Sequence, residues 1–219
     1  MQDQKLPERI PTRLYLISPA EFGLDTFELA FKQALAGGDV ACFQLRLKDR
    51  PRDEITAAAK RLMPLAQAAN VAFLLNDDPQ LAHDLGADGV HIGQDDMSLR
   101  EARAIVGANA IVGVTCKNSK HLAMQAAENG ADYVAFGAFF PSTTKDETTQ
   151  ADIDILSWCS DLIETPCVAI GGITVENASA LVESGADFLS VSAGVWKYPA
   201  GPKQAVGDFN RMIDKAIAT

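Results

Sequence analysis

Gly86-Ala87-Asp88-Gly89-Val90 is the stretch from which the architecture can be read. It returns as Gly130-Ala131-Asp132-Tyr133-Val134 and as Gly185-Ala186-Asp187-Phe188-Leu189, with Gly37-Gly38-Asp39-Val40 as a looser copy. The first glycine suits a helix C-terminus, where left-handed backbone ends a helix at little steric cost. A turn and then a buried strand should follow. From Gly37 to Gly86, Gly130 and Gly185 the steps are 49, 44 and 55 residues, each about twice the length of a βα unit. Four double units of this kind make eight βα units, and such a chain closes naturally into a (β/α)8 TIM barrel.

The segments between the copies agree. Apolar runs predict strands over 14–18, 40–45, 71–75, 89–92, 111–115, 133–136, 167–170 and 188–192. Most are near-continuous rather than alternating, as expected when both faces of a parallel sheet are covered. Helical patterns fall over 26–36, 52–69, 99–106, 120–129, 153–163, 175–183 and about 203–218. No linker or composition shift divides residues 1–219, so a single barrel domain is expected. The competing architecture is an open doubly wound sheet. It calls for a Gly-rich fingerprint after the first strand, and Ser18-Pro19-Ala20-Glu21-Phe22-Gly23 is not one.

The bulk properties narrow the function. A formal net charge of −10 argues against a nucleic-acid surface, which needs a broad basic face. No apolar run approaches the roughly 18 residues of a membrane span. The cysteines Cys42, Cys116, Cys159 and Cys167 show no C-x-x-C spacing and read as reduced thiols of a cytoplasmic protein. His83, His91 and His121 lack metal-ligand spacing, and a structural or surface role is expected for each. No Ser-His-Asp order or nucleophile elbow points to a hydrolase.

In such barrels the reactive rim is the C-terminal end of the strands. After the second strand, Gln44, Arg46 and Lys48 recur with period two and share one face, with leucines on the other. Two cations and an amide suit a di-anion; the plainer alternative is a solvated edge. After the third and fourth strands come Asn76-Asp77-Asp78-Pro79 and Gly93-Gln94-Asp95-Asp96. Carboxylates on two neighbouring loops are the hard ligands that Mg2+ takes, or they cap the following helices. Asp78 before Pro79 fits the capping role. Thr115 ends the fifth strand, either as a hydroxyl donor or as a β-branched strand residue. The sixth leads into Gly137-Ala138-Phe139-Phe140-Pro141-Ser142-Thr143-Thr144-Lys145-Asp146, whose hydroxyls and lysine suit an anion. The seventh and eighth lead into Gly171-Gly172 and Ser190-Val191-Ser192-Ala193-Gly194, where such barrels usually seat phosphate. Gly-Gly before a helix lets backbone N–H groups approach an anion, although it is also plain turn chemistry.

Taken together, Gln44-x-Arg46-x-Lys48, Asn76-Asp77, Gly93-Gln94-x-Asp96, Gly113-Val114-Thr115, Pro141-Ser142-x-Thr144-Lys145 and Ile170-Gly171-Gly172-Ile173 resemble the thiamine phosphate synthase family from the first strand to the last. The resemblance implies a transferase that joins hydroxymethylpyrimidine diphosphate to hydroxyethylthiazole phosphate and releases pyrophosphate. It places Gln44, Arg46, Lys48, Asn76, Thr115 and Lys145 at the pyrimidine diphosphate. It places Ser142 and Thr144, with backbone from Gly172, Val191 and Ser192, at the thiazole phosphate, and Asp77 and Asp96 on Mg2+. The partners it implies are two small phosphorylated molecules, and a homo-oligomer is left open.

The sequence departs from the family pattern at four places. Thr115 stands where the family often has Ser, Ser142 where Thr is commoner, and Leu47 where Glu is frequent. The eighth-strand segment is one residue shorter than the commonest form, which bears on Val191 and Ser192. A related thiazole tautomerase branch has a catalytic histidine where Lys117 stands here, and Lys117, Lys145 and Asp96 together favour the synthase. A non-catalytic sensor of phosphate ligands is the third alternative. Trp196-Lys197-Tyr198-Pro199-Ala200-Gly201-Pro202 is expected either to cover the phosphate seat or to form a subunit contact.

Overall fold

A computed structural model describes residues 11–141 and 150–218. Its strands are β1 (Arg13–Ile17), β2 (Cys42–Leu45), β3 (Ala72–Asn76), β4 (Gly89–Ile92), β5 (Ile111–Lys117), β6 (Tyr133–Gly137), β7 (Cys167–Ile170) and β8 (Phe188–Val191). Each pairs in parallel with the next, and β8 returns to β1, so the sheet closes into the expected eight-stranded barrel. The helices are α1 (Leu24–Leu35), α2 (Arg52–Ala68), α3 (Pro79–Leu85), α4 (Leu99–Val106), α5 (Lys120–Glu128), α6 (Asp154–Leu162), α7 (Ser179–Glu183), α8 (Ala193–Trp196) and α9 (Pro202–Ile217). The anticipated elements recur with ends shifted by a few residues. The short helix α8 was not anticipated, and at α7 a turn occupies the first part of the predicted 175–183 helix.

Strand periodicity sorts the apolar runs into two cores. Leu14, Leu16, Phe43, Leu45, Phe73 and Leu75 point outward and pack beneath the helices. Tyr15, Ile17, Cys42, Leu74, Tyr133, Ala135 and Val168 point inward and fill the barrel. The runs look uniform in sequence because both faces are dry.

The repeat has a physical basis. Gly86, Gly130 and Gly185 have φ of 69°, 84° and 91° and turn the chain out of the preceding helix. Each following aspartate then grips a single residue of the strand before, by side chain and by main chain. The Asp88 carboxylate accepts from Phe73 N at 2.7 Å, and Asp88 N donates to Phe73 O at 2.9 Å. Asp132 does the same to Val112 at 2.7 and 2.9 Å, and Asp187 to Cys167 at 2.7 and 3.0 Å. The carbonyl of Asp187 also accepts from Arg13 N at 3.0 Å, so this residue joins β7, β8 and β1 at the seam of the barrel.

The looser copy differs because its surroundings do. Asp39 takes the Arg13 guanidinium with two bonds of 2.7 Å instead of a backbone N–H. Asn210 of α9 fills the space beside it, and a Cβ on Gly38 would lie 2.0 Å from Asn210 Oδ1.

Asp187 is 5% exposed, and its loss strands a buried N–H at the start of β7. Hydrogen bonds to charged groups contribute about 1.5–3 kcal/mol. Asp187→Ala is therefore expected to lower stability in urea unfolding by about that amount, with ligand binding at the opposite rim unchanged in the folded protein. Loss of binding without loss of stability would contradict a purely architectural role.

Candidate active site

The C-terminal ends of the strands enclose a cavity of about 620 Å³, a size suited to small ligands. Gln44, Arg46 and Lys48 of β2 and its loop line one wall together, while Leu45 and Leu47 are buried on the opposite face. The period-two reading of one shared face therefore holds, with Gln44 buried and Lys48 exposed beyond the end of β2. Arg46 is anchored by its backbone N–H, which donates to Ser18 Oγ at 2.9 Å. Asn76, Asp77, Asp96 and Thr115 line the same cavity.

The structure shows which of these residues cap a helix. Asp78 caps α3, accepting from Leu81 N at 2.8 Å with Pro79 in the first turn. Ser98 caps α4 in a reciprocal arrangement with Glu101. Asp77 and Asp96 cap neither helix. Asp96 accepts from Gly93 N at 2.7 Å, which sets its loop. Asp77 has a left-handed φ of 65° and meets Asp96 across the loops. Partial burial, a hydrogen bond to Asp96 and the negative charge of Asp96 push the Asp77 carboxyl up to about 6, although Lys48 and Arg46 pull the other way. Two carboxylates held this close have the donor set of a hard divalent cation. Among the described residues no group of three or more His, Cys, Asp or Glu side chains forms a fuller metal cage.

Gly171 and Gly172 have φ of 105° and 63°. A Cβ on Gly172 would lie 2.5 Å from Pro141 O, so this pair is glycine for close passage beside the chain leaving β6 as well as for an open backbone. Because α7 begins only at Ser179, no helix starts directly behind them. The helix start that faces the cavity is that of α8, where Ser192, Ala193 and Gly194 line the wall. Val191 lies elsewhere: its side chain packs in the outer core, and it is not a lining residue. Trp196 bolts α8 down. Its Nε1–H donates to Ile17 O at 2.6 Å, and its ring meets Phe27 edge-on with centroids 4.8 Å apart. Tyr198 donates to Asp208 of α9 at 2.7 Å. These two aromatics thus brace the cavity from behind within their own chain rather than covering it. Ser142, Thr144 and Lys145 lie outside the described residues.

The floor holds what sequence reasoning missed. His91, expected to be structural, is 8% exposed and lines the cavity. Its ring nitrogens meet Tyr133 Oη at 2.8 Å and Thr115 Oγ1 at 2.7 Å. Ser190 also lines the cavity; its Oγ and Gln44 Nε2 are buried without a hydrogen-bond partner. A buried polar group left unpaired costs about 1–3 kcal/mol, so these atoms suit a ligand that completes them. The alternation of the Gln44-containing strand signalled its inward side chains, but nothing local marked His91; Ser190 belongs to the segment whose sequence suggested a phosphate seat, and it lies within β8.

A barrel whose rim gathers cations, amides and a carboxylate pair above a polar floor is the architecture of an enzyme for small anionic molecules. A family model described as thiamine monophosphate synthase matches residues 14–195. The thiamine-phosphate synthase of Rhodospirillum centenum is 60% identical over 201 residues, covering 92% of this chain and 97% of the relative. That of Hyphomonas neptunium is 51% identical over 223 residues, covering 98% and 99%. Among solved structures, thiamine phosphate pyrophosphorylase from Pyrococcus furiosus superposes with a TM-score of 0.81 at 26% identity, covering 94% of this chain and 96% of that one. The chain belongs to the thiamine monophosphate synthase family, and it is a transferase of thiamine biosynthesis. Among the described residues no helix is long and apolar enough to cross a membrane.

The carboxylate pair makes a pH prediction. A carboxyl with a higher pKa folded than unfolded holds its proton more tightly in the folded chain. Its stabilising contribution is full below its ordinary value of 3.8 and is lost as pH rises through about 6. In metal-free buffer, the stability of the wild type relative to Asp77→Asn should therefore fall as pH rises through that window. Asn tolerates the left-handed backbone of this position, so the comparison isolates the charge. A difference independent of pH would show that the Asp77 carboxyl is not raised in the folded chain.

Proposed function

We propose that this cavity condenses 4-amino-2-methyl-5-(diphosphooxymethyl)pyrimidine with hydroxyethylthiazole phosphate, giving thiamine phosphate and pyrophosphate. The observation that carries the reading is the meeting of Gln44, Arg46 and Lys48 with Asp77 and Asp96 around one cavity. Cations on one wall suit a diphosphate. The paired carboxylates fit Mg2+, with substrate oxygens and water completing its shell. When bound, Mg2+ supplies positive charge beside the leaving group.

The residues then divide the work. Arg46, Lys48 and Asn76 hold the diphosphate, joined by Lys145, which follows β6 in the sequence. The bond between the pyrimidine methylene carbon and the diphosphate oxygen breaks, and its electron pair leaves with pyrophosphate. The resulting methylene cation is trapped by the lone pair of the thiazole nitrogen, which forms the new C–N bond. The cations stabilise negative charge that grows only as the bond breaks, so they favour the transition state over the bound substrate. Ser142 and Thr144, with the backbone of Gly172 and Ser192, seat the thiazole phosphate and set the angle of attack. No step calls for a strong general base. Lys117, left-handed at φ 53° and lining the cavity, adds a cation where the tautomerase branch has its histidine. The four free thiols suit a cytoplasmic setting for this chemistry.

Purified protein should release pyrophosphate only when both substrates and Mg2+ or Mn2+ are present. Turnover of the thiazole phosphate alone would indicate a tautomerase, and tight binding of thiamine phosphate without turnover a sensor. Asp96→Ala and Lys145→Ala are each expected to lower turnover on the order of a hundredfold while the melting temperature stays close to that of the wild type. Parallel losses of activity and melting temperature would count against their placement at the leaving group.

A further inference from the structure

Ser18 follows β1 directly and stands between two walls of the cavity without lining it. It is 2% exposed and bonded on both sides. Toward β2, its N–H donates to Gln44 O at 3.0 Å, and its Oγ accepts from Arg46 N at 2.9 Å. Toward α8, its carbonyl accepts from Ser192 Oγ at 3.3 Å, and one residue earlier Ile17 O accepts from Trp196 Nε1 at 2.6 Å. The peptide unit between Ile17 and Ser18 is therefore held at both ends, its N–H by β2 and its C=O by α8.

The pattern departs from an ordinary strand pair. In a parallel ladder, a residue that donates to one partner takes with its own carbonyl the amide two places further along. Continued past β1, that rule would send Arg46 N to Ser18 O. Arg46 N takes the Ser18 hydroxyl instead, and the carbonyl this frees turns to Ser192. One side chain thus lets a single residue serve both of its neighbours. Pro19 supports the arrangement, because it disfavours helical backbone at Ser18 and brings no N–H that could extend the ladder. Ser192 is committed to the same link, since its hydroxyl does not cap α8. Arg46 and Ser192 both line the cavity, and β1 lies between the strands that lead to them.

We propose that Ser18 is a positioning residue that sets the distance between the two substrates: through Arg46 it fixes the wall that holds the pyrimidine diphosphate, and through Ser192 the wall that seats the thiazole phosphate. This rests on the reaction proposed above. There each substrate is held by its phosphate, while the new bond forms between atoms remote from both phosphates. The gap from the thiazole nitrogen to the methylene carbon is therefore set by the distance between the walls. Slackening of that spacing leaves each set of phosphate contacts in place, so either substrate alone still binds. What is lost is alignment, and a reacting pair misplaced by about 1 Å can lose about a hundredfold in rate.

Misalignment has a chemical signature. Once the bond to the diphosphate oxygen has broken, the methylene cation needs a lone pair. In register, it takes that of the thiazole nitrogen. Out of register, it takes that of a water oxygen, and loss of a water proton to solvent leaves the hydroxymethylpyrimidine beside pyrophosphate. Both routes release one pyrophosphate, and only the first makes thiamine phosphate. The ratio of the two products reads the spacing and is not moved by a loss of folded protein.

The test measures pyrophosphate and thiamine phosphate together, with Mg2+ and saturating amounts of both substrates. The wild type should form them one to one. A wild type that forms no thiamine phosphate overturns the reaction and this inference with it; in an active wild type the variants decide the inference alone. Ser18→Ala is expected to lower kcat for thiamine phosphate about tenfold, with each KM changed less than threefold. It should release at least two pyrophosphates per thiamine phosphate, the excess matched by hydroxymethylpyrimidine. Ser18→Thr keeps the hydroxyl and should restore the one-to-one ratio. Ser192→Ala breaks the same link from α8 and covers the case in which Ser18→Ala does not fold. Its ratio should also rise above one, and the double variant should be no worse than the poorer single. Asp187→Ala weakens the opposite end of the barrel and should keep the ratio at one, which separates spacing from stability. A one-to-one ratio in either folded single variant, losses that multiply in the double variant, or an equal excess in Asp187→Ala would overturn the inference.

Discussion

Barrel closure depends on aspartates that grip one residue of the neighbouring strand, the carboxylate accepting from its N–H and the aspartate's own N–H donating to its C=O. A parallel strand enters the sheet from a loop, and an amide in its first two residues needs a partner from outside the strand. Asp88, Asp132 and Asp187 each supply that partner to the preceding strand while their own main chain completes a two-point clamp. Asp187 matters most, because its carbonyl also takes the first amide of β1 where the sheet closes on itself. The clamps lie at the N-terminal face of the barrel. Stability is therefore concentrated at one end, which leaves the other end able to carry strained and like-charged groups.

That other end uses the freedom. Asp77 is left-handed and pressed against a second carboxylate; Gln44 and Ser190 hold buried atoms without partners; Lys117 sits at a register shift in β5. Each would be unfavourable in a core, and each becomes useful beside a charged substrate or metal. The same division explains the proposed economy of the mechanism. Where bond breaking is driven by stabilising a departing anion and a methylene cation, the residues need to be placed and dry rather than strongly basic. The barrel meets that requirement by bracing its rim, and α8 shows how: the indole of Trp196, packed on Phe27 and bonded to Ile17, holds the segment after β8 against the first strand.

Much of this was legible in the order of residues. The Gly-Ala-Asp copies carried the eightfold count, since the same turn and clamp must be rebuilt at every second strand. The spacing of Gln44, Arg46 and Lys48 placed them on one face because a strand alternates its side chains strictly. The role of Asp78 could be read from the proline after it. Other features were hidden for physical reasons. Apolar runs such as Leu14-Tyr15-Leu16-Ile17 are dry on both faces, so hydrophobicity could not say which residues fill the barrel. His91 carries no local signal, because its partners Tyr133 and Thr115 come from other strands 42 and 24 residues away. The short helix α8 is too small for a helical period to show, and the turn before α7 is masked by helix-compatible residues.

Local rules of turn, strand and helix act between near neighbours, so this chain specified unaided its eight units, the end of each strand and the residue types that meet the rim. The pairings that give those residues their chemistry act across the barrel. Asp77 meets Asp96 only because β3 and β4 are adjacent, and Thr115 reaches His91 only because β4 and β5 pair in a fixed register. Which carboxylates cap a helix and which face the cavity, and which residues meet on its floor, were set by closure of the sheet, because closure fixes the distances between groups far apart in sequence.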